Sequence, residues 1–163
     1  MADPKVTIYW KQPAHLELRD SYSRAHTMRF AGGIRVAATD NFVDEPPLVD
    51  RYVTAAGAFA AALASSYAMT FLYVAMEQGV DVAECEIDAL VEHGEWFWRG
   101  GGDPEIRHVT LCPTVVFRGP RPTNRAELAL HRETQRRCPL AKAVKCEIRV
   151  SLLCEALVGD GHD

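Results

Sequence analysis

The chain has 163 residues, 48% hydrophobic and 25% charged, with a net charge of −4 at pH 7. That length fits one domain, or one protomer that completes its core by association. No lysine and arginine stripe accompanies exposed aromatics, which argues against a nucleic-acid partner, and the opening MADPKVTIYW lacks the basic and apolar regions of a secretory signal, which points to the cytoplasm.

From Lys5 to Asp40 the chain reads as short strands. Leu16 and Leu18 alternate with Glu17 and Arg19, and Gly32-Gly33 makes a turn between Thr27–Phe30 and Ile34–Ala38. Residues 41–50, with Asp44, Glu45, Pro46 and Pro47, read as a loop. A helix is expected over 51–78, ending near Gly79. A strand over 82–98 then places Ala83, Cys85, Ile87, Ala89 and Val91 on one face and mostly acidic residues on the other. Its tail carries Trp96 and Trp98 on a common side before the turn GGGDP.

The strand expected over 106–118 has Val109, Leu111, Val115 and Phe117 on one face. Pro113 shares that face and argues for an edge position or a bulge. Asn124 is read as the cap of a helix over 124–138, with Glu127 in capping-box register. Pro139 opens a further short helical turn, and a last strand is expected over 146–155. Strands, buried helix, two strands, helix, strand make an α+β protein.

No charged residue occurs from Tyr52 to Met76. About 20 apolar residues suffice to span a bilayer. The stretch is dominated by Ala, Gly, Ser and Thr, however, and no second span or flanking lysine cluster supports insertion. It is read instead as a central core helix, apolar on all sides and covered on every side. One protomer of this size can barely cover such a helix, so a homodimer is expected, with no membrane.

The five cysteines contain no CxxC pair. Cys85, Cys146 and Cys154 fall on apolar strand faces and Cys112 on an opposite face, all read as inert thiols. Cys138 differs, because it follows Arg136-Arg137 and sits where a new helical turn begins, a setting that favours a thiolate. The alternative is a cysteine packed at a kink. The six histidines form no HxH or HxxxH set, so no metal is expected. His108 and Cys112 would be roughly 13 Å apart on a strand. His131 and Cys138 are two helical turns apart, too far for a direct pair.

The segments ALASSYAMTFLYVAMEQGV (62–80) and RRCPLAKAVK (136–145) resemble the two signature segments of the OsmC/Ohr superfamily. The resemblance implies an OsmC-like fold, an antiparallel sheet packed on a long buried helix, in an intertwined homodimer. It also implies thiol-dependent reduction of organic hydroperoxides without a cofactor. In that chemistry a helix cysteine attacks the O–O bond, and the cysteine of a C-P pair resolves the sulfenic acid as a disulfide. Cys138 takes the second position, but the first is Ser66, and a hydroxyl cannot replace that thiol. The proline-glutamate pair that the family carries near the helix start is here Ala55 and Ala56. The glutamate of that pair helps hold an arginine, for which Arg19, Arg24, Arg29 and Arg35 are the candidates.

Two functions are compatible with these residues. In one, Cys138 acts alone as a redox thiol resolved by an external dithiol, with Ser66 bonding the substrate. In the other, a dimer-interface cleft binds or hydrolyses a small apolar ligand without redox chemistry. Tyr67, Phe59, Arg35, Trp96 and Trp98 are the candidate lining residues in both.

Overall fold

A computed structural model describes residues 5–11, 25–39, 52–94 and 105–152. The chain forms two compact units, Met1–Phe59 and Ala60–Asp163.

In the first unit, β1 (Val6–Tyr9), β2 (His26–Phe30), β3 (Arg35–Thr39) and β4 (Val53–Thr54) form one sheet in that order. The β2–β3 hairpin closes through the expected glycines. Gly32 and Gly33 adopt φ of 82° and 85°, left-handed values that a side chain would resist. β1 and β2 pair antiparallel, as do β2 and β3, whereas β3 and β4 run parallel. Arg29 lies over the Tyr9 ring, 4.1 Å from its centroid. Thr54 starts the long helix α1 (Ala55–Glu77), its hydroxyl accepting from the Gly57 amide at 3.0 Å.

From Ala60 onward α1 belongs to the second unit. Its end is a glycine stop. Gly79 takes φ of 70°, and the Val80 amide returns to the Ala75 carbonyl at 2.9 Å. The remaining elements are β5 (Val82–His93), β6 (Ile106–Phe117), α2 (Asn124–Arg137), α3 (Pro139–Ala143) and β7 (Glu147–Val150). The second sheet has the order β5-β6-β7, with β5 and β6 antiparallel and β7 parallel to β6. The α+β class holds, but both sheets are mixed rather than wholly antiparallel. The core of this unit combines Leu63, Tyr67, Phe71 and Val74 of α1, Val109 and Leu111 of β6, and Leu130 of α2.

Four expectations bear comment, the last three as corrections. The first is a helix that one protomer can barely cover: α1 is the one helix among the described residues long and apolar enough to cross a membrane, and only about a third of its most apolar stretch is buried in the single chain. Met69, Tyr73 and Met76 are 61%, 53% and 65% exposed, because one chain supplies packing for a single side of the helix. The second is Pro113, which lies on the central strand β6 and at no bulge. β7 pairs with β6 only from His108 to Leu111, so the amide that Pro113 lacks falls beyond that ladder.

Third, the cap of α2 is Thr123, whose hydroxyl accepts from the Ala126 amide at 3.3 Å, and Asn124 is the first helical residue. Glu127 therefore closes no capping box. It is buried and takes a two-pronged bond from Arg121, both contacts 3.1 Å. Fourth, Cys112 is disulfide-bonded with a partner outside the described residues, while Cys85, Cys138 and Cys146 are free.

Candidate functional site

The site is built where α1 meets the junction of α2 and α3. Cys138 closes α2 and opens α3. Its amide donates to the Thr134 carbonyl at 2.8 Å, and its carbonyl accepts from the Lys142 amide at 3.2 Å. Pro139 at the first position of α3 fits, because that position needs no donor and has φ near the proline value. The Cys138 side chain is 0% exposed.

Ser66 lies on α1, and its Oγ is 3.4 Å from Cys138 Sγ, in a hydrogen bond that either group can donate. Thr70, one turn on, donates to the Ser66 carbonyl at 2.7 Å. The two sequence-predicted positions thus meet, 72 residues apart in the chain. The attack of one thiol on the other's sulfenic acid is not available between them, because Ser66 offers oxygen where sulfur is needed.

Next to Ser66, Tyr67 is fully buried, and its hydroxyl lies 2.9 Å from His131 Nδ1 and 3.4 Å from the His131 carbonyl oxygen. His131 is 2% exposed and stacks on Phe71 with ring centroids 4.6 Å apart. Burial, and after it the charges of Cys138 and Cys85, push the Tyr67 phenol far above its usual range. Burial holds His131 below its usual value, against a smaller opposing pull from Glu127. Burial likewise raises Cys85. Tyr67 and His131 are therefore a neutral phenol and a neutral imidazole near pH 7.

The arginines preceding Cys138 are committed elsewhere. Arg136 bonds both carboxylate oxygens of Glu133, at 2.8 and 2.6 Å. Arg137 pairs with Glu77 and, at 2.9 Å, with Glu133, while lying over the Tyr73 ring. Their hydrogen bonds hold Glu77 and Glu133 below the usual carboxylate range. Of the two readings of Cys138, the activated thiolate is left with cations that nearby carboxylates already hold.

Of the remaining candidates, Arg35 is exposed on β3 and Phe59 is half-buried in α1. Both belong to the first unit. Trp96 and Trp98 lie outside the described residues. No group of three or more metal-ligating side chains occurs among the described residues.

Sequence reasoning read Glu127 as a capping residue and set His131 aside as too far from Cys138, so neither was named as a site residue. The available signal was their spacing from Cys138. Glu127, Leu130, His131, Thr134 and Cys138 recur at helical intervals and are all buried, but three of the five are polar enough to hide the stripe.

Comparison with known proteins agrees with this geometry. A family profile described as OsmC-like protein matches residues 50–153. An OsmC-like protein of unknown function from Vibrio cholerae is 30% identical, with a TM-score of 0.80 over 93% of this chain and 99% of that one. The organic hydroperoxide resistance protein OhrB of Bacillus subtilis aligns at 19% identity and a TM-score of 0.64, over 92% and 98% of the two chains. An organic hydroperoxide resistance protein from Legionella pneumophila aligns at 12% identity and a TM-score of 0.65, over 93% and 96%. These last two carry the fold alone. No curated protein matches the sequence. With the profile covering most of its length, and with the helix and C-P positions of the resemblance brought into contact, the chain belongs to the OsmC-like family.

Proposed function

We propose that this chain reduces organic hydroperoxides with Cys138 as its single redox thiol. The observation that carries the reading is the 3.4 Å contact between Cys138 Sγ and Ser66 Oγ, at the two positions where the resemblance expects a reacting pair. The naming of the B. subtilis and L. pneumophila neighbours as hydroperoxide resistance proteins supports the substrate class.

The Cys138 thiolate attacks the terminal peroxide oxygen, so that an S–O bond forms, the O–O bond breaks, and the departing alkoxide takes a proton to leave as an alcohol. Ser66 hydrogen-bonds the thiolate or the peroxide oxygen. The sulfenic acid condenses with an external dithiol, releasing water and a mixed disulfide, and the second thiol frees Cys138.

Treatment of the reduced protein with cumene hydroperoxide and dimedone tests this, read by intact and peptide mass. Modification at Cys138, with dithiol-dependent peroxide consumption abolished by Cys138→Ser, is the expected result. An unmodified Cys138 at excess peroxide would overturn it.

One pair of observations favours a second, non-redox reading. Cys138 is fully buried, and both arginines before it are held by carboxylates. In that reading the site binds a small apolar ligand, whose stabilising effect on melting survives Cys138→Ser. Hydrolysis by Ser66 has less support, because His131 bonds Tyr67 rather than Ser66.

In either reading we propose a homodimer, in which a second copy covers the exposed α1 stripe of Ala62, Ser65, Met69, Tyr73 and Met76. These residues recur at three- and four-residue intervals, so they share one helix face. Three large side chains on that face, each more than half exposed, support the reading.

A further inference from the structure

The first sheet sorts its residues by face. Antiparallel partners share a face, and so do alternate residues along a strand. The register Val6↔Phe30, Ile8↔Met28 and Met28↔Val36 therefore puts Val6, Ile8, Met28, Phe30 and Val36 on one side, which is apolar. Thr7↔Arg29 and Arg29↔Arg35 put both arginines on the other side, with Tyr9 two residues along from Thr7. Arg29 and Arg35 are thus direct cross-strand neighbours. The Phe30 amide, donating to the Ile34 carbonyl at 2.9 Å, closes the hairpin just beyond them. Side chains so paired leave their strands with Cβ atoms about 5 Å apart, and like charges there repel.

No carboxylate relieves this repulsion. Among the described residues of this unit, Lys5, Lys11, Arg29 and Arg35 are cationic and none is acidic, in a chain whose net charge is −4. Arg29 Nε is buried and has no hydrogen-bond partner. Its guanidinium is held instead over the Tyr9 ring, 4.1 Å from the centroid, a contact that consumes no N–H donor. Arg35 is exposed and joins no ion pair among the described residues. In the second unit, by contrast, Arg121, Arg136, Arg137 and Arg149 each bond a carboxylate. A cation with a buried, unpaired nitrogen, set opposite a second cation, is costly until an anion from outside the chain joins the two.

We propose that Arg29 and Arg35 form a binding site for a phosphate dianion, free or as the monoester of a small molecule. Two guanidinium groups from adjacent strands present forked N–H donors to one oxyanion, and their two positive charges match its two negative ones. Tyr9 holds Arg29 in place before the ligand arrives, which lowers the ordering cost of binding. The site lies wholly within the first unit and uses neither Ser66 nor Cys138, so it stands whether or not the single-thiol reading does.

Nitrogen-15 NMR of the arginine Nε–H groups tests this on the full chain near pH 7, with ionic strength held constant by sodium chloride. Inorganic phosphate is expected to shift the Arg29 and Arg35 resonances along one saturable curve, half-complete at roughly millimolar concentration. The resonance of Arg132, an exposed arginine on α2, is expected to stay in place. Arg35→Gln is expected to weaken phosphate binding about tenfold, read at Arg29, and acetate is expected to bind about tenfold more weakly than phosphate. Methyl phosphate binding as tightly as phosphate would assign the site to a monoester, and a tenfold loss would assign it to free phosphate; either result supports the proposal.

Shifts of equal size at Arg132, or shifts that grow without saturating, would overturn it. So would acetate binding as tightly as phosphate. Arg35 is exposed, so Arg35→Gln keeps the fold, and an unchanged phosphate affinity in that variant would also overturn the proposal.

Discussion

The two faces of α1 have similar composition and opposite fates. Leu63, Tyr67, Phe71 and Val74 are almost completely buried, and Ser66 beside them reaches Cys138. Met69, Tyr73 and Met76, one helical step away, are more than half exposed. Both faces are apolar, so helix patterning does not separate them, and the partner elements decide which face becomes core. The inward face meets α2 and carries Ser66, which reaches Cys138. The outward face carries surface that a second copy of the chain would bury.

The sharpest way to break this comparison is to truncate one residue on each face. Phe71→Ala removes a buried ring stacked on His131, with an expected cost of about 3–5 kcal/mol in denaturant unfolding. Met69→Ala, far more exposed, is expected to cost below about 1 kcal/mol within a single protomer. Equal costs would show that the outward face is as well packed as the inward one.

Ser66→Cys sharpens the chemical side of the comparison. With Ser66 Oγ already 3.4 Å from Cys138 Sγ, a thiol at this position is expected to form a disulfide with Cys138 under one equivalent of peroxide, read as a mass two hydrogens lighter. Dithiol-dependent peroxide turnover should rise about tenfold over the parent. Failure of the disulfide to form would mean that the two positions are not held as a reacting pair.

On the outward face, Met69→Lys is expected to leave the Ser66–Cys138 contact intact and to yield monomers in sedimentation. A dimer unchanged by that charge would move the interface elsewhere.

The pH dependence of stability separates the faces by smaller effects. His131 is held below its ordinary 6.5, so the unfolded chain takes up a proton first. Stability is then complete above about 6.5 and declines as pH falls from there toward the folded value. Tyr67 is held above its ordinary 10.0, so the unfolded chain loses its proton first, and stability also declines above about 10. His131→Asn and Tyr67→Phe should flatten the acid and alkaline limbs respectively. The exposed Arg137–Glu77 pair gives the smallest effect. Arg137→Ala should leave melting nearly unchanged and act only through Glu77 and Glu133, below their ordinary 4.5.

Much of the fold could be read from local chemistry. The charge-free window and Gly79 bounded α1 to within a few residues, because a left-handed glycine and the loss of apolar residues are local stop signals. Gly32-Gly33 marked its hairpin for the same reason, and Pro139 marked the start of α3. The sequence also placed Cys138 and Ser66 as partners, through motif resemblance rather than spacing. The caps were less legible. Thr123 and Asn124 are both good cap residues, and only the extended backbone at Thr123 selects it.

What the amino-acid sequence determined by itself was the order and type of elements and the absence of a thiol at the first motif position, since these depend on local period, turn chemistry and residue identity. What only the tertiary structure decided was pairing between distant groups. A strand's pattern tells which face is apolar but not that β7 joins β6 in parallel. Arg136-Arg137 beside a cysteine looks activating until Glu77, 60 residues away, captures one guanidinium. His131 shows no partner in the sequence until the Tyr67 hydroxyl, from another helix, comes within 2.9 Å of its Nδ1. Each is a contact whose energy depends on a group far away in the chain, which local residue chemistry does not specify.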